Sequence, residues 1–486
     1  MDFVVSIVDL GSIAPALMML VTALLVLVGE LFSAPGRKGA LAVLALLGVA
    51  GAMAKSFLLW GQSQAAFSGM VALDNYGLFF GLVFLLALGM TVLLSVRYLD
   101  QMDMDHGEYY VLLLLATFGM MLMASGTDLI VIFLGLEILS LALYVLAGFA
   151  RTNLGAQEAA LKYFLLGAFS SGFLLYGAAL TYAATGTTNL ARIVSFLAQA
   201  GVAGNPLLWI AVGLLIVGFG FKVATVPFQM WVPDVYQGAP TPVTAFMSVG
   251  AKAAGFAGFL RVFLYAFPAL SVDWTWLLAT LAVLTMTLGN VVAIAQGDIK
   301  RMLAYSSIAH AGYLLVAMAS NSQAGVSAVL FYLVAYAFTN LGAFAVVVYL
   351  ARQGQEALEL SDYAGLGSRA PLVALAMTVF MVSLAGVPPT AGFVAKFYLF
   401  GAAVEAGLVW LAVIGVLNSV ISAYYYLRLI VIMYMREPVP EVAPASTAPL
   451  VSVSLAIAAT ATLLLGLFPS ALLALAQSTV GAIFKI

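Results

Sequence analysis

Along the 486-residue chain, apolar stretches recur almost without pause, separated by short polar connectors. Each is roughly 18–25 residues long, enough for an α-helix to cross a bilayer, and short alternating segments of the transmembrane β-barrel kind are missing. The pattern predicts about fourteen spans, near 11–31, 40–60, 76–97, 108–125, 127–149, 158–183, 207–230, 242–267, 274–295, 300–319, 325–351, 372–403, 406–434 and 450–475. The expected fold class is an all-α polytopic membrane protein. Between spans six and seven, TTNLARIVSFLAQA sets Leu190, Ile193, Val194 and Leu197 on one helical face, which predicts a short amphipathic helix at the membrane surface.

Two spans break the pattern. The seventh contains Pro227, with Pro233, Pro240 and Pro242 following, and the twelfth contains Pro388 and Pro389. Proline removes a backbone donor and clashes with the preceding turn, so helices seven and twelve are expected to be discontinuous. A faint internal repeat accompanies them. Tyr144 and Tyr313, Tyr163 and Tyr332, and Phe169 and Phe338 are each separated by 169 positions, and VPFQ matches VPPT more loosely. A five-helix unit would then recur, inverted because five is odd. The expected organisation is an N-terminal three-helix segment (1–107), two five-helix repeats (108–267 and 268–435) and a C-terminal helix (436–486).

Composition narrows the function. With 64% hydrophobic and 8% charged residues, the chain departs from the roughly 25% charge of soluble domains. Cysteine is absent, which excludes disulfides, thiolate zinc sites and cysteine-ligated iron–sulfur clusters. The net charge of −2 gives no nucleic-acid footprint. MDFVVSIVD lacks the basic region of a cleavable signal peptide. Arg37, Lys38, Arg97, Arg151, Lys300, Arg301, Arg352, Arg369, Arg428 and Arg436 fall in or beside loops on one side, against Lys55, Arg192, Arg261 and Lys485 on the other. The richer side should be cytoplasmic, with both termini opposite.

Four lysines remain, Lys162, Lys222, Lys252 and Lys396, all within spans, and Glu137 joins them in span five. Each central charge costs about 2.5–3.5 kcal/mol on insertion scales, so a bundle required only to be stable would do better with leucine. Glu137 and Lys222 are expected to form a pair, with Lys252 next along an ion path; a static pair holding helices together is the alternative. Lys162, near the start of span six, could relay protons or snorkel to the interface. Lys396 follows the glycine- and proline-broken LAGVPPTAGF, where freed carbonyls need a cavity or a partner. His310 has a side chain suited to a relay, or to hydrogen-bonded packing. The Asp298-Ile-Lys-Arg run reads as a topology anchor, and Glu356, Glu359 and Asp362 as solvated acids. GxSxG, P-loop and HExxH motifs are missing, and GFGF at 218–221 lacks the third glycine of a dinucleotide fingerprint.

LGLEILSLALYVLAGF, GFGFKVATVPFQMWVPDVYQGAPTPVTAFMSVGAKAAGF, GDIKRMLAYSSIAHAGY and SLAGVPPTAGFVAKFYLF together resemble the antiporter-like membrane subunits of respiratory complex I. The resemblance covers residues 70 to 435. It implies fourteen helices with two inverted five-helix repeats, Glu137 and Lys222 as a buried proton-transfer pair, Lys162 and Lys252 on a central axis, and Lys396 as the terminal lysine. Lys396 and the lack of room for a long lateral helix separate the chain from the M-type and L-type members and point to the third type. The resemblance further implies a bacterial inner-membrane location, other complex I membrane subunits as partners, and no cofactor in this chain, with flavin and iron–sulfur clusters in partner subunits. Subunits of sodium/proton antiporters and membrane-bound hydrogenases share the pattern, and a structural spacer with a vestigial path is the bland alternative.

Overall fold

A computed structural model describes residues 6–33, 38–200, 205–438 and 449–484. Among them, thirteen helices are long and apolar enough to cross a membrane, from Ala14–Leu31 to Pro449–Leu467. The expected span 372–403 is absent from that set because it is two shorter helices, Pro371–Ala385 and Ala391–Glu405. Counting the pair as one crossing, each expected span has its helix. Span fourteen ends earlier than expected, at Leu467, and a further helix, Ser470–Phe484, follows Pro469.

The bundle has a graded interior. Thr241–Ala266, Ile299–Ala319 and Gln323–Leu350 are the most deeply buried helices, whereas Ala14–Leu31, Gly39–Leu58 and Leu154–Thr185 leave most of their surface outside. Lipid is as apolar as leucine, so the central helices associate through close packing rather than solvent exclusion. Ser271–Ile294 and Ile299–Ala319 show how: a Cβ on Gly289 would lie 2.7 Å from the Ala309 nitrogen, and one on Gly312 would lie 2.6 Å from that of Met286. Only glycine permits this approach.

At one end of the bundle, a short hairpin pairs Gln64–Ala66 with Val71–Leu73. At the same end, the helix Leu190–Ala200 buries Leu190, Ile193 and Leu197. At the other end, residues 351–360 fold back onto the start of the Ile299–Ala319 helix, through Ile299 N to Leu358 O at 2.8 Å and Leu360 N to Gly297 O at 2.9 Å.

This last feature corrects an expectation. Glu356 is not a solvated acid: it accepts from Lys300 Nζ at 3.1 Å, from Tyr98 OH at 2.5 Å and from Thr241 Oγ1. Three of the charges assigned to loops are likewise buried and paired, Lys38 with Glu30, Lys300 with Glu356 and Arg261 with Asp74. Folding covers these groups in ways that hydropathy cannot register. Arg37 and Lys485 lie outside the described residues.

Candidate functional site

Two interrupted helices place the buried lysines. Pro206–Val223 ends with Ala224 in the left-handed region (φ 67°) and a cis Val226–Pro227 bond, and the chain becomes helical again at Val232. The freed backbone groups find partners: Thr225 N donates to Gly220 O at 2.8 Å, Val226 N to Thr285 Oγ1 at 3.0 Å, and Trp231 Nε1 to Phe221 O at 3.0 Å. Such partners are what allow irregular backbone inside a bilayer. Lys222 stands in the last turn of this helix, where the negative end of the macrodipole favours a cation.

The second break repeats the device with a different donor. Pro371–Ala385 ends at Gly386 (φ 86°), a cis Pro388–Pro389 bond follows, and Ala391–Glu405 begins. Lys396 reaches back from the second helix to cap the first. Its Nζ donates to Leu384 O and Ala385 O, both at 3.0 Å, and to Ser419 Oγ at 2.7 Å. The Lys396 ammonium also lies 4.8 Å from the Tyr313 ring centroid.

Among the described residues Glu137 and Lys222 form no direct ion pair, although the two charges lie close enough to act on each other. Lys222, 4% exposed, donates to Ser140 Oγ at 2.8 Å and to Tyr163 OH at 3.3 Å. Glu137 Oε1 is buried without a hydrogen-bond partner. Ser140 lies one helical turn beyond Glu137, so the hydroxyl occupies the place on that face that the carboxylate was expected to take. A small cavity of about 10 Å³, bordered by Ser140, Tyr144, Ser170, Ser171 and Lys222, adjoins the ammonium.

Lys162 lies at the rim, away from the Lys222 ammonium. Its side chain is 41% exposed and bridges Glu158 at 2.7 Å and Asp234 at 2.6 Å. Consecutive helical residues point about 100° apart, so Tyr163 turns to Lys222 while Lys162 turns to the acids. Asp234 also receives Arg301 Nη1 at 2.8 Å. Burial pushes the Asp234 carboxyl up, but Lys162 and Arg301 outweigh it and hold the group below the ordinary carboxylate range. Glu356 shows the same balance: burial raises it, and the Lys300 charge with the donors from Thr241, Tyr98 and Lys300 brings it lower.

Lys252, His310 and Lys396 are joined along one helix. Lys252 Nζ donates to the Ser307 carbonyl and hydroxyl oxygens. Three residues on, His310 bonds through Nδ1 to Tyr332 OH and through Nε2 to Tyr426 OH at 3.0 Å. Three further on is Tyr313, whose ring lies beneath Lys396. Positions spaced by three are surface neighbours on a helix, about 5–6 Å apart, so Ser307, His310 and Tyr313 form a continuous polar stripe. A small cavity of about 10 Å³ beside it is bordered by His310, Tyr332, Tyr336, Thr339, Ser383 and Leu384, the last being a Lys396 acceptor. The Lys222 and Lys252 helices meet closely, since a Cβ on Gly255 would lie 2.7 Å from Val223 Cγ1 and 3.5 Å from Lys222 Cβ.

Ser140, Tyr163, Ser307, Tyr332, Tyr426 and Ser419 thus lie at the site; sequence reasoning marked Tyr163 and Tyr332 only as repeat positions and passed over the other four. The available signal was the spacing of polar residues within SSIAHAGY, at positions 306–313.

Comparison with known proteins agrees with this architecture. The profile of the NADH:quinone oxidoreductase/Mrp antiporter transmembrane family matches residues 126–422. NADH-quinone oxidoreductase subunit N of Trichlorobacter lovleyi is 53% identical, over 97% of each chain. A chain of respiratory complex I from Thermus thermophilus superposes with a TM-score of 0.81 at 39% identity, covering 95% of this chain and 99% of that one. A chain of an archaeal membrane-bound sulfane sulfur reductase gives 0.88 at 26% identity, with 98% of each covered. The chain belongs to the NADH:quinone oxidoreductase/Mrp antiporter transmembrane family, on its subunit N branch.

Proposed function

We propose that the chain is a proton-translocating membrane subunit of an NADH-quinone oxidoreductase, set among other membrane subunits of the complex, and that protons pass along Lys222, Lys252, His310 and Lys396. The observation that carries the route is the stripe Ser307–His310–Tyr313, which runs from the Lys252 acceptors past the imidazole of His310, itself bonded to Tyr332 and Tyr426, to the ring beneath the Lys396 ammonium. Glu137 stands beside Lys222 as the group whose approach would bias that end. Lys162 acts with Asp234 and Arg301 at the rim.

NADH oxidation and quinone reduction belong to partner subunits carrying flavin and iron–sulfur clusters; this chain takes no redox step. Moving one proton against 100 mV requires about 2.3 kcal/mol. Making or breaking a single hydrogen bond to a charged group is worth about 1.5–3 kcal/mol. A displacement that frees Lys222 from Ser140, or Lys396 from its two carbonyls, is therefore of the required size. The break at Pro388 and Pro389 leaves the Leu384 and Ala385 carbonyls open to Lys396, and the break at Pro227 ends the helix just beyond Lys222. The location is the bacterial inner membrane, with both termini on the non-cytoplasmic side, and the two five-helix units are read as two half-paths meeting between Lys252 and His310.

Lys222→Met and Lys252→Met, introduced into the intact complex and reconstituted in vesicles, test the reading. Both should assemble, and both should lower the number of protons moved per NADH oxidised. Native stoichiometry in both would overturn the route. Ion exchange that depends on sodium and is indifferent to NADH would place the chain in a sodium/proton antiporter instead.

A further inference from the structure

Beside the polar stripe lies a second hydrogen-bonded network, centred on Asn290, that the route above does not use. Asn290 is fully buried on Ser271–Ile294. Its Nδ2 donates to Tyr313 OH at 3.0 Å and to Asn418 Oδ1 at 3.3 Å, and its Oδ1 accepts from Tyr425 OH at 2.9 Å. Asn418 in turn donates to Thr287 Oγ1 at 3.3 Å and to Ile414 O at 3.1 Å. Three helices meet here: Ser271–Ile294, Ile299–Ala319 and Val409–Met435.

A primary amide offers two N–H donors and one carbonyl acceptor. Asn290 commits all three to side chains of the two neighbouring helices, so its partners fix its orientation. Cohesion does not require this amide. Gly289 and Gly312 already bring Ser271–Ile294 and Ile299–Ala319 so close that a Cβ on either would strike the opposite backbone.

What the amide holds is one ring. Tyr313 touches two groups of the route: it meets the His310 imidazole edge-on, with centroids 5.6 Å apart, and lies 4.8 Å from Lys396 Nζ. An aromatic face attracts an ammonium only when the charge stays within about 6 Å of the ring centroid. A tyrosine ring can swing about Cβ unless its far end is tied. Asn290 ties that end, and the buried Ser422 stands beside the same hydroxyl. We propose that Asn290 is a positioning residue of the proton route: by bonding the Tyr313 hydroxyl it holds the ring against both His310 and Lys396, and so fixes the imidazole and the ammonium relative to each other. The proposal rests on the route above. The competing role is a plain tie between three helices.

The measurement is the number of protons moved per NADH oxidised by intact complexes in vesicles, beside the rate of NADH oxidation and the melting temperature. A tie alone would change the melting temperature and leave the proton ratio untouched. Positioning predicts that Asn290→Leu oxidises NADH normally but moves about half as many protons or fewer, since one hydrogen bond favours a ring position about fivefold. Tyr313→Phe, which keeps the ring and removes its hydroxyl, should lose at least as much, and joining the two substitutions should add nothing further. Asn418→Leu, which breaks the tie to Val409–Met435 but leaves the Tyr313 bond, should pump at the native ratio. A native ratio in Asn290→Leu overturns the proposal, and so does a loss in Asn418→Leu equal to that of Asn290→Leu. If Asn290→Leu does not assemble, Tyr313→Phe decides, and a native ratio there overturns the proposal. A native ratio in Lys252→Met would remove the route itself and this proposal with it, whereas native ratios confined to Asn290→Leu and Tyr313→Phe leave the route in place.

Discussion

Gly386 offers the cleanest perturbation of the terminal lysine. It ends Pro371–Ala385 in the left-handed region, at φ 86°, where an alanine costs about 1–2 kcal/mol. An added Cβ would meet Lys396 first: Cδ at 2.8 Å, Nζ at 3.3 Å and Cε at 3.4 Å. All three are atoms of one flexible side chain, so the lysine moves and the packed backbone stays. Displacing Nζ from even one of its three acceptors removes a charge-assisted bond worth about 1.5–3 kcal/mol. With the backbone strain, the native arrangement becomes less favourable by about 2.5–5 kcal/mol, roughly two to four powers of ten in population at 1.36 kcal/mol per decade. Gly386→Ala complexes should assemble, oxidise NADH and move markedly fewer protons per NADH in vesicles, as Lys396→Met complexes should. Gly401, on the following helix with open space around it, is the control, and Gly401→Ala should pump normally. If Gly386→Ala pumps at the native ratio, the hydrogen bonds of Lys396 to Leu384 and Ala385 are not part of the path.

Other expectations follow from the same geometry. Glu356→Gln breaks a largely buried pair and should lower thermal stability in detergent by about 3 kcal/mol at neutral pH. Because folding lowers the Glu356 carboxyl below its ordinary 4.5, its contribution is complete above that value and is lost as pH falls through the folded-state titration; the native and variant melting curves should therefore converge in acid, and a gap that persists would count against the assignment. Tyr426→Phe removes one His310 partner at a cost of about 1 kcal/mol, and should slow pumping without disturbing assembly. Lys162→Met should affect pumping far less than Lys222→Met, since an exposed ion pair is worth about 0–1 kcal/mol; equal losses would return Lys162 to the central axis.

Hydropathy made the spans legible because the bilayer imposes one length scale on each of them. Lys222, Lys252 and Lys396 stood out for the same reason, since charge in that setting is too expensive to be idle. Ser140, Tyr163 and Ser307 did not stand out. Serine and tyrosine satisfy themselves cheaply within a helical bundle, as the Ser140 hydroxyl does on Leu136 O, so their presence in a span signals little. Lys300 and Glu356 were misread because a loop's hydrophilicity does not reveal that it folds back over a helix end. That Lys222 bonds Ser140 and not Glu137, one turn away on the same helix, depends on how two helices sit against each other, which no single sequence window contains.

The polar stripe on Ile299–Ala319 also constrains how such a chain can vary over generations. Each residue inserted into or deleted from a helix turns everything beyond it by about 100°. A residue added to the connectors at either end would leave the register within the helix unchanged. A change of length between Ser307 and Tyr313 would instead aim the Lys252 contact and the Lys396 contact at different neighbours, even if every residue type were retained. That interval, only six steps long, should be the part of the chain least tolerant of insertion and deletion, and a scan of single-residue insertions along the helix would map the boundary.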